Sequence, residues 1–73
     1  MPLKSLSYRE IKRKLETAGF EVVSQKGSHV KFAKDTSEGK RTTIVPKYKE
    51  VTIGTIASIL RQAGLSVDEF EQL

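Results

Sequence analysis

Cysteine is absent from the 73 residues, and histidine occurs once. The first absence excludes disulfides and thiolate metal sites. The second argues against a structural zinc centre, which needs several ligands. No metal or other cofactor is expected. Apolar residues form no run of membrane-spanning length. Met1 to Ser7 is short and passes into a charged amphipathic stretch, unlike a secretory leader. The resulting expectation is a cytoplasmic protein that does not enter a membrane. Linkers, internal repeats and low-complexity tracts are missing too. The length fits one domain, residues 1–73, with a thin core. Such a chain has little room for a many-residue active site, so any chemistry must use few groups.

What is present in excess is positive charge, and it is unevenly placed. The net charge is +4. Between Lys26 and Lys49 stand seven bases (Lys26, Lys31, Lys34, Lys40, Arg41, Lys47 and Lys49) against two acids, Asp35 and Glu38. The remainder of the chain is slightly acidic. Charge gathered into one section is the footprint of a nucleic-acid binder. The plainer alternative is a solvated basic surface that only aids solubility.

The spacing predicts a first helix over 8–18. Ser7 is placed to cap it, with Glu10 at the reciprocal capping-box position and Leu6 and Ile11 spaced as a staple. Tyr8, Ile11, Leu15 and Ala18 form its apolar stripe. Gly19 is placed to end it, and Phe20 to fold back on Leu15. A β-prone run follows over 20–25, then the turn Lys26-Gly27-Ser28, then a second strand over 29–34. Residues 35–40 read as a polar loop with Gly39, suited to a hairpin, 41–45 as a third strand stopped by Pro46, and 47–51 as a basic connector. Thr52 is placed to cap a second helix that buries Ile53, Ile56, Ile59, Leu60 and Ala63 and ends at Gly64. Ser66 and Glu69 mark a last short helix. The fold class is therefore α+β, in the order α-β-β-β-α-α. Helices cover one face of a three-stranded antiparallel sheet and leave the other wet.

His29 falls at the start of the second strand. Side chains alternate along a strand, so burying Val30 and Phe32 aims His29 and Lys31 at the opposite face. Imidazole is the side chain that exchanges protons most readily near neutrality. A lone histidine is nonetheless more often structural than catalytic. Lys26 and Lys31 also read plainly as solvated residues, and Ser28 as one that satisfies its own turn.

The element order resembles that of double-stranded-RNA-binding domains. Two segments narrow the resemblance. One is Gly19-Phe20 followed by Lys26-Gly27-Ser28-His29-Val30-Lys31-Phe32. The other is Val45-Pro46, then Gly54-Thr55-Ile56 and Ile59-Leu60-Arg61-Gln62-Ala63-Gly64-Leu65-Ser66. From about Ser7 to Phe70 the chain resembles the HicA toxin family of toxin–antitoxin pairs.

That resemblance implies a small ribonuclease that cuts messenger RNA, with His29 as its essential residue. It implies a HicB-like antitoxin that covers the histidine face. Many members carry a second histidine shortly after the proline that follows strand three. The stretch Pro46-Lys47-Tyr48-Lys49-Glu50 has none, so another group takes its part or activity is lower. The expected catalyst is His29 acting as general base on the RNA 2′-hydroxyl, without metal. Lys26 and Lys31 are its nearest cations in sequence. Ser28 and the Gly27 and Ser28 amides are candidate donors to phosphate. Arg41, Lys47 and Lys49 are expected to grip the RNA strand, and Tyr48 is a candidate for base stacking. The leaving-group acid is open between a lysine, a water and the reprotonated ring. The free protein is expected to be a monomer. Two other readings compete. One is an RNA-binding module that does not cut. The other is an interaction protein whose basic face docks an acidic partner.

Overall fold

The computed structural model describes residues 3–73. Met1 and Pro2, the beginning of the stretch read as unlike a leader, lie outside the described residues. The element order is α1 (Tyr8–Thr17), β1 (Glu21–Lys26), β2 (His29–Thr36), β3 (Gly39–Pro46), α2 (Ile53–Ala63) and α3 (Val67–Glu71). This is the expected α+β arrangement.

Local chemistry sets most of the boundaries. The Ser7 hydroxyl accepts from the Glu10 amide at 3.2 Å and satisfies one free donor of the first turn of α1. The Glu10 carboxylate turns to Arg13 at 3.4 Å instead of reaching back to the cap. Gly19 takes a φ of +102°, which a side chain would strain. This lets the Phe20 amide return to the Leu15 carbonyl at 2.9 Å and close the helix. At α3 the full capping box forms: the Ser66 amide donates to Glu69, and the Glu69 amide to the Ser66 hydroxyl. Hydrogen bonds to the Glu69 carboxyl from the Ser66 amide, and then from the Ser66 side chain, hold it below the usual carboxylate range.

The strands run β1-β2-β3, antiparallel throughout, with β2 in the centre. The residues read as a polar loop over 35–40 instead extend the β2–β3 hairpin, with Asp35 opposite Lys40 and Thr36 opposite Gly39. The Thr36 hydroxyl ties the two-residue turn together, donating to the Gly39 carbonyl and accepting from the Glu38 amide. These pairs lie beyond the core, so their backbone ladder forms without apolar alternation. β3 likewise reaches Pro46, which ends the strand where a missing amide costs least.

One face of the sheet packs on the helices. Phe32, Val30, Val45, Ile11, Leu15, Ile56 and Ile59 meet there, all essentially inaccessible to water, and Phe70 closes the end. Ile53 departs from expectation: it is 49% exposed. It is the first residue of α2 and precedes the part of the helix that lies on the sheet. β1 escapes cover altogether, with all six residues exposed. A register shift between Val22 and Ser24 bends this strand.

Three cations serve the helix ends. The Lys34 ammonium donates to the Ala18 carbonyl at the end of α1, at 2.6 Å. The Lys14 ammonium donates to the Phe70 and Leu73 carbonyls at the end of α3 and lies over the Phe70 ring. The Arg41 guanidinium carbon lies 3.0 Å from where a Cβ would stand on Gly64, at the end of α2. A cation beside unpaired carbonyls is favourable at the negative end of a helix dipole.

A candidate RNA-cleaving face

His29 is exposed at the first position of β2. Its cross-strand neighbours are Lys26 on β1 and Pro46 on β3. Two residues on, Lys31 stands between Ser24 and Ile44. Directly paired residues share a sheet face, as do residues two apart on one strand. The imidazole and two ammonium groups therefore project from the side of the sheet that the helices leave open. Consecutive same-face positions on a strand stand roughly 6.6 Å apart.

The turn that delivers His29 is tightly held. Gly27 takes a φ of +59° at the first turn position, and Ser28 has no positive φ. That is the pattern of a type II′ hairpin turn, whose twist matches the strands it joins. The Gln25 side-chain amide donates to the Gly27 carbonyl at 3.0 Å. The Ser28 carbonyl accepts from the Lys47 amide at 2.6 Å. The turn, the connector after Pro46 and the strand ends are thus fastened together. The connector is itself anchored to the N-terminal segment by Leu6–Val51 pairing and by the Tyr8 amide on the Tyr48 carbonyl.

Ser24, Lys26, Gly27, Ser28, His29, Lys31 and Ile44 line one open hollow. It brings together five of the residues that the sequence singles out: Lys26, Gly27, Ser28, His29 and Lys31. It adds Ser24 and Ile44, which sequence reasoning misses. The signal for Ile44 is present all the same, because burying Val45 turns its strand neighbour outward.

The other selected cations lie elsewhere. Arg41 pairs with Lys34 on the helix side of the sheet and leans on the end of α2, with Glu38 at 3.8 Å. It does not join the hollow. Lys47 is next to the site through its backbone, but its ammonium lies over the Tyr8 ring, 5.9 Å from the centroid. Tyr8 in turn packs at an angle on Phe32, and burial, with Glu16 adding to it, raises the pKa of its phenol. Lys49 and Tyr48 are exposed on the connector, outside the lining of the hollow.

Among the described residues, no group of three or more His, Cys, Asp or Glu side chains is arranged to hold a metal ion. No helix among them is long and apolar enough to cross a membrane. The arrangement offers one proton acceptor, two cations for an anionic strand and one apolar wall. That set suits an RNA backbone, which carries its own nucleophile.

No curated protein matches the chain in sequence. The family model described as the HicA toxin of bacterial toxin–antitoxin matches residues 8–65. That span includes α1, all three strands, α2 and every residue of the hollow. By that match the chain belongs to the HicA toxin family, the toxin side of a toxin–antitoxin system.

Proposed function

We propose that this toxin is a metal-independent endoribonuclease that cuts messenger RNA, with His29 as its general base. The observation that carries the reading is the exposed His29 ring sharing one hollow with Lys26 and Lys31. In this scheme the neutral imidazole takes the proton of an RNA 2′-hydroxyl. The 2′-oxygen attacks the adjacent phosphorus, and the bond from phosphorus to the 5′-oxygen breaks. The leaving oxygen takes a proton from water, a lysine or the recharged ring. Lys26 and Lys31 offset the negative charge that builds on the phosphate oxygens. The Gly27 and Ser28 amides and the Ser28 hydroxyl supply further donors. The products are a 2′,3′-cyclic phosphate and a 5′-hydroxyl.

The partner in this reading is a HicB-like antitoxin that covers the histidine face. Free of it, the toxin acts as a single-domain cytoplasmic monomer.

The test is purified protein mixed with a labelled RNA strand. Wild type should yield cyclic-phosphate ends, in chelator as well as without it. His29→Ala should lose about 10²–10⁴-fold in rate, the usual contribution of a positioned base. It should keep RNA binding, which phosphate contacts dominate. RNA bound but left whole by wild type would overturn the reading in favour of a binding module. Inhibition by EDTA would remove the metal-free scheme.

A further inference from the structure

Among the described residues that line the hollow, Ile44 is the one large apolar side chain, and it is 48% exposed. Its place is not accidental slack at a strand end. It pairs directly with Lys31 in the β2–β3 ladder. Its own amide, at the outer edge of β3, donates to the Gln62 side-chain oxygen at 3.4 Å. The same oxygen accepts from the buried Thr43 hydroxyl at 2.8 Å. A helix side chain thus pins β3 at the position that presents Ile44. The neighbours of Ile44 across the hollow are an imidazole, two ammonium groups, a hydroxyl-bearing turn and Ser24. These groups are suited by charge and hydrogen bonding to a phosphate and a ribose hydroxyl. None of them gives an apolar surface to a base.

We propose that Ile44 is a substrate-binding side chain, the wall on which one unpaired base next to the cleaved phosphate packs. The inference rests on the ribonuclease reading and adds to it how the nucleotide is oriented. With the phosphate held by Lys26 and Lys31 and the base against Ile44, the ribose between them presents its 2′-hydroxyl to His29. An aliphatic wall offers no hydrogen-bond pattern. It therefore selects for an accessible base and not for its identity. In a duplex the base faces are stacked within the helix and out of its reach.

The test pairs Ile44→Thr with an abasic substrate. Threonine keeps the β-branch that suits a strand and removes part of the apolar surface. A thermal melt first establishes that the variant folds as wild type does. On a single-stranded RNA, kcat/KM should fall about fivefold, the scale of one or two methylenes removed from the surface that positions the substrate. The same RNA carrying one abasic ribonucleotide beside the mapped cut should lower kcat/KM similarly for wild type. It should cost Ile44→Thr almost nothing more, because base and wall are two halves of one contact. Penalties that simply multiply, or an Ile44→Thr protein that cuts as wild type does, would overturn the assignment while leaving His29 in place. Wild type that never cuts RNA, or His29→Ala that cuts equally well, would instead defeat the ribonuclease reading and this inference with it.

Discussion

Lys31 and Arg41 belong to the same basic section of sequence, yet the sheet sends them to opposite sides. Lys31 stands in the hollow with His29, and Arg41 leans on the last turn of α2. Replacing each by alanine should separate binding from stability. Removing one cation that neutralises a phosphate of single-stranded RNA lowers the slope of log K against log salt by about 0.7. Over a fourfold range of salt, that amounts to roughly 2.6-fold in affinity for Lys31→Ala, and about sevenfold when Lys26→Ala is added. Arg41→Ala should leave the slope alone. Its effect should appear in unfolding, at about 0.5 kcal/mol, the value of an exposed cation at a helix C-terminus. The 3.8 Å approach to Glu38 adds little, because both side chains are well solvated. Fluorescence anisotropy of a labelled RNA strand, titrated at several salt concentrations, gives the slopes, and urea unfolding gives the stabilities. An Arg41→Ala protein whose slope drops as far as that of Lys31→Ala would refute the assignment of the RNA strand to the open face. So would a Lys31→Ala protein with an unchanged slope.

Two further outcomes follow from the core and from α3. Phe32 is wholly buried on the central strand. Phe32→Ala should cost about 3–5 kcal/mol. A small domain has little more than that in total, so near-ultraviolet circular dichroism should show most of its tertiary signal gone. The Glu69 carboxyl is held below its ordinary value of 4.5, first by the Ser66 amide. Its ionised form is therefore favoured in the folded state. The stability it contributes is present above about pH 4.5 and fades as pH falls through the lower folded value. Thermal melts of Glu69→Gln and wild type should differ near neutrality and converge in acid. A difference that grows on acidification would mean that the capping bonds are misassigned.

Much of this fold can be read from neighbouring residues alone. Ser7 and Gly19-Phe20 bound α1 because a helix end is a local hydrogen-bonding problem. Ser66 and Glu69 mark α3 for the same reason. The β2–β3 hairpin reads too short in the sequence because Asp35 to Lys40 carries no apolar alternation, although backbone pairing extends past the core. The exposure of Ile53 depends on where the sheet ends beneath α2, which no local pattern encodes.

The site divides along the same line. Lys26 to Lys31 occupy one turn and one strand, so alternation from Val30 and Phe32 places them together. Arg41 is selected in the sequence by its charge. The parity that buries Val45 and Thr43 also points Arg41 toward the helices, so the signal is present and outweighed. Lys34 shows the same thing, its ammonium spent on the Ala18 carbonyl. In a basic protein this small, some of the positive charge serves helix ends, and a charge total overstates what is left for a polyanion.

The aim of His29 and the formation of the core are a single constraint. Slipping β2 by one residue against its neighbours would turn Val30 and Phe32 to water and drive His29 and Lys31 beneath the helices. Burying an ammonium and an imidazole in place of two apolar side chains is costly enough to forbid that register. The glycine turn adds a second lock, because Gly27 fixes where β1 gives way to β2, and the Ser28 carbonyl is tied to Lys47. A site with so few chemical groups needs no dedicated scaffold beyond this. The apolar residues that hold the protein together also keep the imidazole at its surface.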